Sequence, residues 1–172
     1  MSILKVLAAL LEYPDQALID ALPELRAYVA QDTEPVADDA QALDMFLDVL
    51  ENSTLIDAQA MYVQTFDLTP EHSLHLTHHL FGDDNGRGPA LIDLTEYYKS
   101  FGFEPVEDEL PDYLPLVLEF AGQLAADEGR LFLSRITKVL TQLAINLETV
   151  ESVYAPLIRV VERQTRLAPI EA

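Results

Sequence analysis

Cysteine is absent from the chain. Without a thiol there is no disulfide, no thiolate nucleophile, and no cysteine-ligated zinc or iron–sulfur cluster. Glycine is sparse, six in 172 residues, and no short alternating runs of β-branched residues stand between turn signals. Both facts count against a β-sandwich or barrel. Basic residues are scarce as well, ten against 30 acids, for a net charge of −20. Such a field repels phosphate backbones and anionic lipid heads and attracts basic partners, so nucleic acid is excluded as a partner. No apolar run reaches the roughly 18 residues that a membrane span needs. The apolar stretch at residues 3–11 is interrupted by Lys5, ends at Glu12 and lacks a small-residue cleavage site, which makes a poor signal peptide. The chain reads as soluble and cytoplasmic, with no stable membrane insertion.

What remains is apolar, acidic and helical. Hydrophobic residues make up 49% of the chain, enough to bury a core at this length and to rule out wholesale disorder. The charge is uneven. Residues 1–129 carry 26 acids and 4 bases, whereas residues 130–172 carry 4 acids and 6 bases. The acidity belongs to the first three-quarters of the molecule, where it is either a solubility device or the mark of a basic partner.

Apolar spacing is helical from end to end. Ser2 is placed to cap a first helix with Ile3, Leu4, Leu7, Leu10 and Leu11 on one stripe, stopped ahead of Pro14. A second helix spans residues 15–30, with a kink or early break expected at Pro23. Residues 31–37 read as an acidic linker. Leu43, Phe46, Leu47 and Leu50 mark a third helix ending near Asn52, and Ser53-Thr54 starts a fourth. Thr69-Pro70 opens a short helix carrying His72, His75, His78 and His79. The glycines of residues 82–88 demand a loop. Pro89 begins a helix over residues 90–101, with Gly102 placed to end it. Residues 103–112 are extended and acidic, with Asp112 as the N-cap of a long apolar helix over residues 113–126. Helices at 131–150 and 153–166 complete the chain. The expectation is an all-α, single-domain bundle of eight or nine helices over residues 1–172, frayed at 167–172.

The histidines are the first candidates for chemistry. On one helix, His72, His75 and His79 share a face, with His78 offset, and imidazoles so spaced chelate zinc, copper or nickel. Asp67, Glu71, Asp83 and Asp84 are at hand as oxygen ligands. The motif HExxH is missing, however, and a packed histidine beside solvated ones explains the same pattern. A histidine-ligated, metal-dependent enzyme stands as the alternative function. No GxSxG is present, and the two acids of residues 82–88, Asp83 and Asp84, repel phosphate rather than cradle it. No residue pattern asks for a cofactor. The segment ELPDYLPLVLEF is different in kind: acids at Glu104, Glu107, Asp108, Glu109 and Asp112 precede an apolar helix. An apolar groove edged with carboxylates suits a peptide that combines arginines with an amphipathic helix. A capped core helix after a solvated loop is the plain alternative.

Several blocks, in order, resemble one family. LLEYPD at residues 10–15 is similar to its opening, and YVQTFD at residues 62–67 to its Y-V-x-T-F-D element. Ser73-Leu74, His79 and Gly82 resemble its S-L-x-L-F-x-H-x-x-G stretch, and Arg87-Gly88 the R-G that follows. Residues 91–102 resemble its M/L-x-x-L-x-x-x-Y-x-x-x-G run. ELPDYLPL at residues 109–116, continuing to Glu119-Phe120, is the most specific block. Thr77 stands where an aromatic residue is usual, and His75 and His78 replace apolar and acidic ones. By these blocks the chain resembles the NarJ family of nitrate reductase molybdenum cofactor assembly chaperones, within the redox-enzyme maturation proteins that include TorD and DmsD.

The resemblance implies an all-α, TorD-like fold and no catalysis. It implies binding of the basic and apolar N-terminal segment of an apo catalytic subunit of a molybdenum oxidoreductase, held until cofactor insertion, with membrane docking delayed. The carried-over peptide-binding residues are Tyr62, Phe66 and Asp67 on one wall, and Asp112, Leu114, Pro115 and Glu119 on the opposing acidic and apolar wall. His79 and Arg87 organise the adjoining loop. The working state is monomer or dimer.

Overall fold

The computed structural model describes residues 2–31, 37–82, 85–105 and 108–166. Ten α-helical segments follow one another: α1 (Ile3–Leu10), α2 (Gln16–Val29), α3 (Ala37–Glu51), α4 (Leu55–Tyr62), α5 (Leu76–Phe81), α6 (Arg87–Ser100), α7 (Leu114–Ala121), α8 (Ala126–Leu133), α9 (Thr137–Thr149) and α10 (Ala155–Thr165). A single 3₁₀ turn, Ser134–Ile136, joins α8 to α9. There is no strand among the described residues, and the all-α bundle expected from the periodicity is what forms. The expected frayed tail, residues 167–172, lies outside the described residues.

Local chemistry sets the helix starts. The Ser2, Asp15 and Thr54 side chains accept from the backbone N–H groups of Lys5, Leu18 and Asp57 and so cap α1, α2 and α4. The helix expected at 131–150 begins only at Thr137, because residues 131–133 close α8 and a 3₁₀ turn intervenes; four other boundaries differ from expectation, each for a physical reason. α2 runs through Pro23 without breaking, because the ring faces solvent while Leu22 and Leu25 beside it stay buried against the core. α3 begins at Ala37, with Asp38 and Asp39 in its first turn, where carboxylates favour the helix N-terminus. α6 begins at Arg87, two residues ahead of Pro89, so proline falls in the first turn. The apolar helix at 113–126 stops at Ala121, and the chain turns at Gly122 into α8. A Cβ on Gly129 would lie 2.8 Å from the Ala121 carbonyl oxygen, so this corner closes only around glycine.

One core occupies the middle. α10 lies at its centre with Leu157, Ile158, Val160 and Val161 fully buried, packed against α9, α3 and α1. α1 lies along α7 and α2 along α3. Arg26 of α2 reaches Asp44, Asp48 and Glu51 of α3, clamping that pair. A smaller aromatic cluster of Tyr98, Leu116 and Phe120, with Tyr97, Phe103 and Phe132 around it, ties α6 to α7 and α8.

Candidate peptide-binding site

The histidines do not share a helix. His72 closes a 3₁₀ turn, Pro70–His72; the chain then opens at Ser73 (ψ 136°), His75 is extended, and α5 starts only at Leu76. The helical face expected to align His72, His75 and His79 therefore never forms. His72 is buried with Nδ1 2.9 Å from the Thr65 carbonyl oxygen, and His79 Nε2 is 2.6 Å from the Ser73 carbonyl oxygen. Among the described residues, no three His, Asp or Glu side chains converge on a metal-sized point.

The reason for the break is the ELPDY segment, which pairs with this opened stretch. Leu76 N donates to Asp112 O and Leu114 N to Leu74 O, giving an antiparallel bridge between His75 and Tyr113. The Asp112 side chain does not cap α7 as expected; Tyr113 occupies that position without a side-chain cap. Instead Asp112 Oδ2 accepts from Thr77 N at 2.9 Å and Thr77 Oγ1 at 2.5 Å, so it caps α5 from across the fold. Arg87 Nε donates to the same Thr77 Oγ1 at 2.9 Å, and His75 Nδ1 stands 3.5 Å from Asp112 Oδ1. Burial acts to raise the Asp112 carboxyl, but the His75 ring and the Thr77 donors outweigh it and hold it below its ordinary value. A helix of six residues is thus anchored by one carboxylate.

Above this anchor lies an acidic and aromatic surface. The Tyr62 and Tyr113 hydroxyls share a hydrogen bond of 2.6 Å, and the Tyr13 ring meets Tyr62 edge-on at 5.7 Å. Tyr13 is 49% exposed and supplies the surface aromatic. Carboxylates come from four separate segments. Burial raises Glu12, and Glu119, Glu109 and Asp15 raise it further. Burial likewise pushes the Tyr113 phenol up to about 12, with Glu109, Glu12 and Asp67 adding to the rise against the Tyr62 bond. None of Glu12, Asp15, Asp67, Glu109 and Glu119 takes part in an ion pair among the described residues. The surface offers carboxylate and phenol oxygens without an ion-pair partner among the described residues, which is the chemistry of a site for an arginine- or lysine-bearing ligand.

The residues singled out from the sequence divide into three groups. Asp67 and Glu119 are exposed on this surface. Tyr62, Phe66, Leu114 and Pro115 are buried and shape it from beneath. Asp112, Arg87 and His79 hold the α5 region in place. Missed were Glu12, Tyr13, Tyr113 and Thr77. Glu12 and Tyr13 stand inside LLEYPD and Tyr113 inside ELPDYLPL, so both segments were in view while their proximity was not.

A family model described as nitrate reductase delta subunit matches residues 15–158. The chain is 38% identical over 154 residues to the nitrate reductase molybdenum cofactor assembly chaperone NarJ of Escherichia coli K12, covering 90% of this chain and 65% of that protein. It is 33% identical over 157 residues to the probable nitrate reductase molybdenum cofactor assembly chaperone NarJ of Bacillus subtilis 168, covering 90% and 83%. With the nitrate reductase-like protein NarX of Mycobacterium tuberculosis H37Rv it shares 34% identity over 127 residues, 74% of this chain and 19% of that one. The chain spans 65% of the length of the E. coli relative, and its helical bundle and ELPDY anchor fall largely within the matched residues. By the match over residues 15–158 and the identity to these relatives, the chain belongs to the nitrate reductase delta subunit family.

Proposed function

We propose that this chain is an assembly chaperone that grips the basic and apolar N-terminal segment of an apo molybdenum oxidoreductase catalytic subunit, that of a nitrate reductase. Grip on that segment keeps the subunit available for molybdenum cofactor insertion and delays its docking at the membrane. The chain itself performs no catalysis. The observation that carries the reading is the surface of Glu12, Asp67, Glu109 and Glu119 around Tyr13 and Tyr113, whose carboxylates are in no ion pair among the described residues. The names of the E. coli and B. subtilis relatives support the chaperone role. The alternative, a histidine-ligated metal enzyme, loses its basis with the shared helix face.

The test is binding of a synthetic peptide of the catalytic subunit's first residues, followed by fluorescence anisotropy. Affinity is expected to fall steadily as salt rises, because carboxylate–guanidinium attraction is screened beyond a Debye length of about 8–10 Å. Glu12→Gln sharpens the test. Its carboxyl is raised in the fold by burial and by neighbouring acids, so its charge destabilises the native state. For such a group stability declines as pH climbs from the unfolded value of 4.5 to the folded one. Glu12→Gln is therefore expected to gain thermal stability at neutral pH while losing peptide affinity. Binding indifferent to both salt and Glu12→Gln would sink the electrostatic reading.

A further inference from the structure

Acids are spread along the chain, 30 in 172 residues, yet residues 129–147 hold none, the longest acid-free run it has. That run is the end of α8, the 3₁₀ turn Ser134–Ile136 and most of α9. Its inner side is core: Leu133, Val139, Leu140, Leu143, Ala144 and Leu147 are buried, and α9 lies along α10. The exposed residues of the run are Arg130, Leu131, Arg135, Lys138, Gln142 and Ile145, which are three bases, two aliphatic side chains and an amide. On α9, Lys138, Gln142 and Ile145 follow at intervals of four and three, one outward stripe opposite the buried face. Leu131 and Arg135 lead into it across the 3₁₀ turn.

The bases of this stripe are free. Arg26, Arg159, Arg163 and Arg166 are each held by carboxylates, whereas Arg130, Arg135 and Lys138 are in no ion pair among the described residues. The acids around the stripe do not change this. Asp127 and Glu128, exposed on the first turn of α8, leave the bases unpaired. Glu148, which closes the run, is held by Arg159. Glu162 is buried and bound by Thr141, Arg159 and Arg166. Glu71 meets α9 through its backbone carbonyl, which accepts from Asn146. The stripe is also apolar at both ends, where Leu131 is 57% exposed and Ile145 43%. Free bases between two exposed aliphatic side chains are complementary to a segment that carries acids and aliphatic residues together.

We propose that this stripe docks an acidic, amphipathic segment of a partner protein. An anionic bilayer would face the whole molecule, whose net charge is −20, and the apolar face that α9 would have to insert is already spent on the core. Nucleic acid meets the same repulsion, and a phosphate backbone offers nothing to Leu131 and Ile145. A second copy of this chain would bring another −20 with it. A short acidic segment meets only the stripe. The proposal is independent of the proposed function: the surface of Glu12, Asp67, Glu109 and Glu119 calls for a cation and this stripe for an anion, so they take different ligands.

The probe is a labelled synthetic peptide of glutamate and leucine in a helical pattern, beside a second in which serine replaces every leucine. Binding is followed by fluorescence anisotropy. Arg135→Glu together with Lys138→Glu is expected to weaken the leucine peptide about ten-fold. Leu131→Ser together with Ile145→Ser is expected to weaken it about three-fold, with no change for the serine peptide. All four side chains are exposed, so helical circular dichroism is expected to stay unchanged. Failure of the leucine peptide to bind the parent chain, or equal binding by the charge-reversed variant, would overturn the proposal. Flotation of the parent but not that variant with phosphatidylglycerol vesicles would overturn it in favour of a lipid surface. Sedimentation that shows oligomers of the parent, lost in the same variant, would overturn it in favour of a second copy.

Discussion

Asp112 carries more structure than any other single residue of the site. Its carboxylate satisfies the Thr77 N–H and hydroxyl, and through Thr77 it meets the Arg87 guanidinium. Asp112→Ala leaves both Thr77 donors buried without that acceptor, an expected loss of about 2–4 kcal/mol in urea unfolding. The pH dependence follows from its lowered carboxyl. A group depressed in the fold contributes stability above its unfolded value, 3.8, and loses it as pH falls through the folded value. The stability gap between the parent and Asp112→Asn is therefore expected to be full at neutral pH and to close as pH drops below 3.8. A constant gap across that range would show that charge at Asp112 contributes nothing. The sequence marked Asp112 as important but assigned it the wrong helix. Its partner lies 35 residues away, and no local rule links a carboxylate to a donor at that separation.

Elements show where local rules hold and where packing overrides them. The caps of α1, α2 and α4 were legible because a side chain and the N–H it serves lie three residues apart. Pro23 was read as a kink or early break; the helix does not break there, because Leu18, Leu22, Leu25, Tyr28 and Val29 bury a continuous face. Pro23→Ala restores a backbone donor on an exposed face and is expected to raise stability by about 1–3 kcal/mol. A thermal midpoint that falls on this change would mean that the proline shapes α2 rather than being tolerated by it. The histidine stretch failed in the opposite direction. Its spacing is helical, yet residues 73–75 leave the helix to pair with residues 112–114. Helix signals are also silent on the π-helical turn, Val63–Asp67, that follows α4, since one extra residue per turn leaves no distinct mark in the apolar period.

At the scale of the molecule the charge is polarised as well as large. Glu12, Asp67, Glu109 and Glu119 gather where α1 ends and α7 begins, while Thr137 and Thr165 bring the start of α9 to the end of α10. There Lys138 and Arg166 extend from the most basic stretch of the chain. Several bases are spent on internal acids: Arg163 on buried Asp39 at 2.5 Å, Arg159 and Arg166 on buried Glu162. The remaining net charge of −20 is repulsion that salt relieves. Raising ionic strength from about 0.05 to about 0.5 M is expected to raise the thermal midpoint while weakening peptide binding. A midpoint that falls with salt would mean that the ion pairs outweigh the repulsion. Composition and periodicity by themselves determined the all-α class, most helices and the acidic character, and short sequence blocks carried the family resemblance, because each is written in neighbouring residues or in their sum. Only the tertiary structure decided that Glu12, Asp67, Glu109 and Glu119 face one surface and that Asp112 caps α5. Those are juxtapositions of distant segments, and they are set by how helices pack rather than by what any one of them contains.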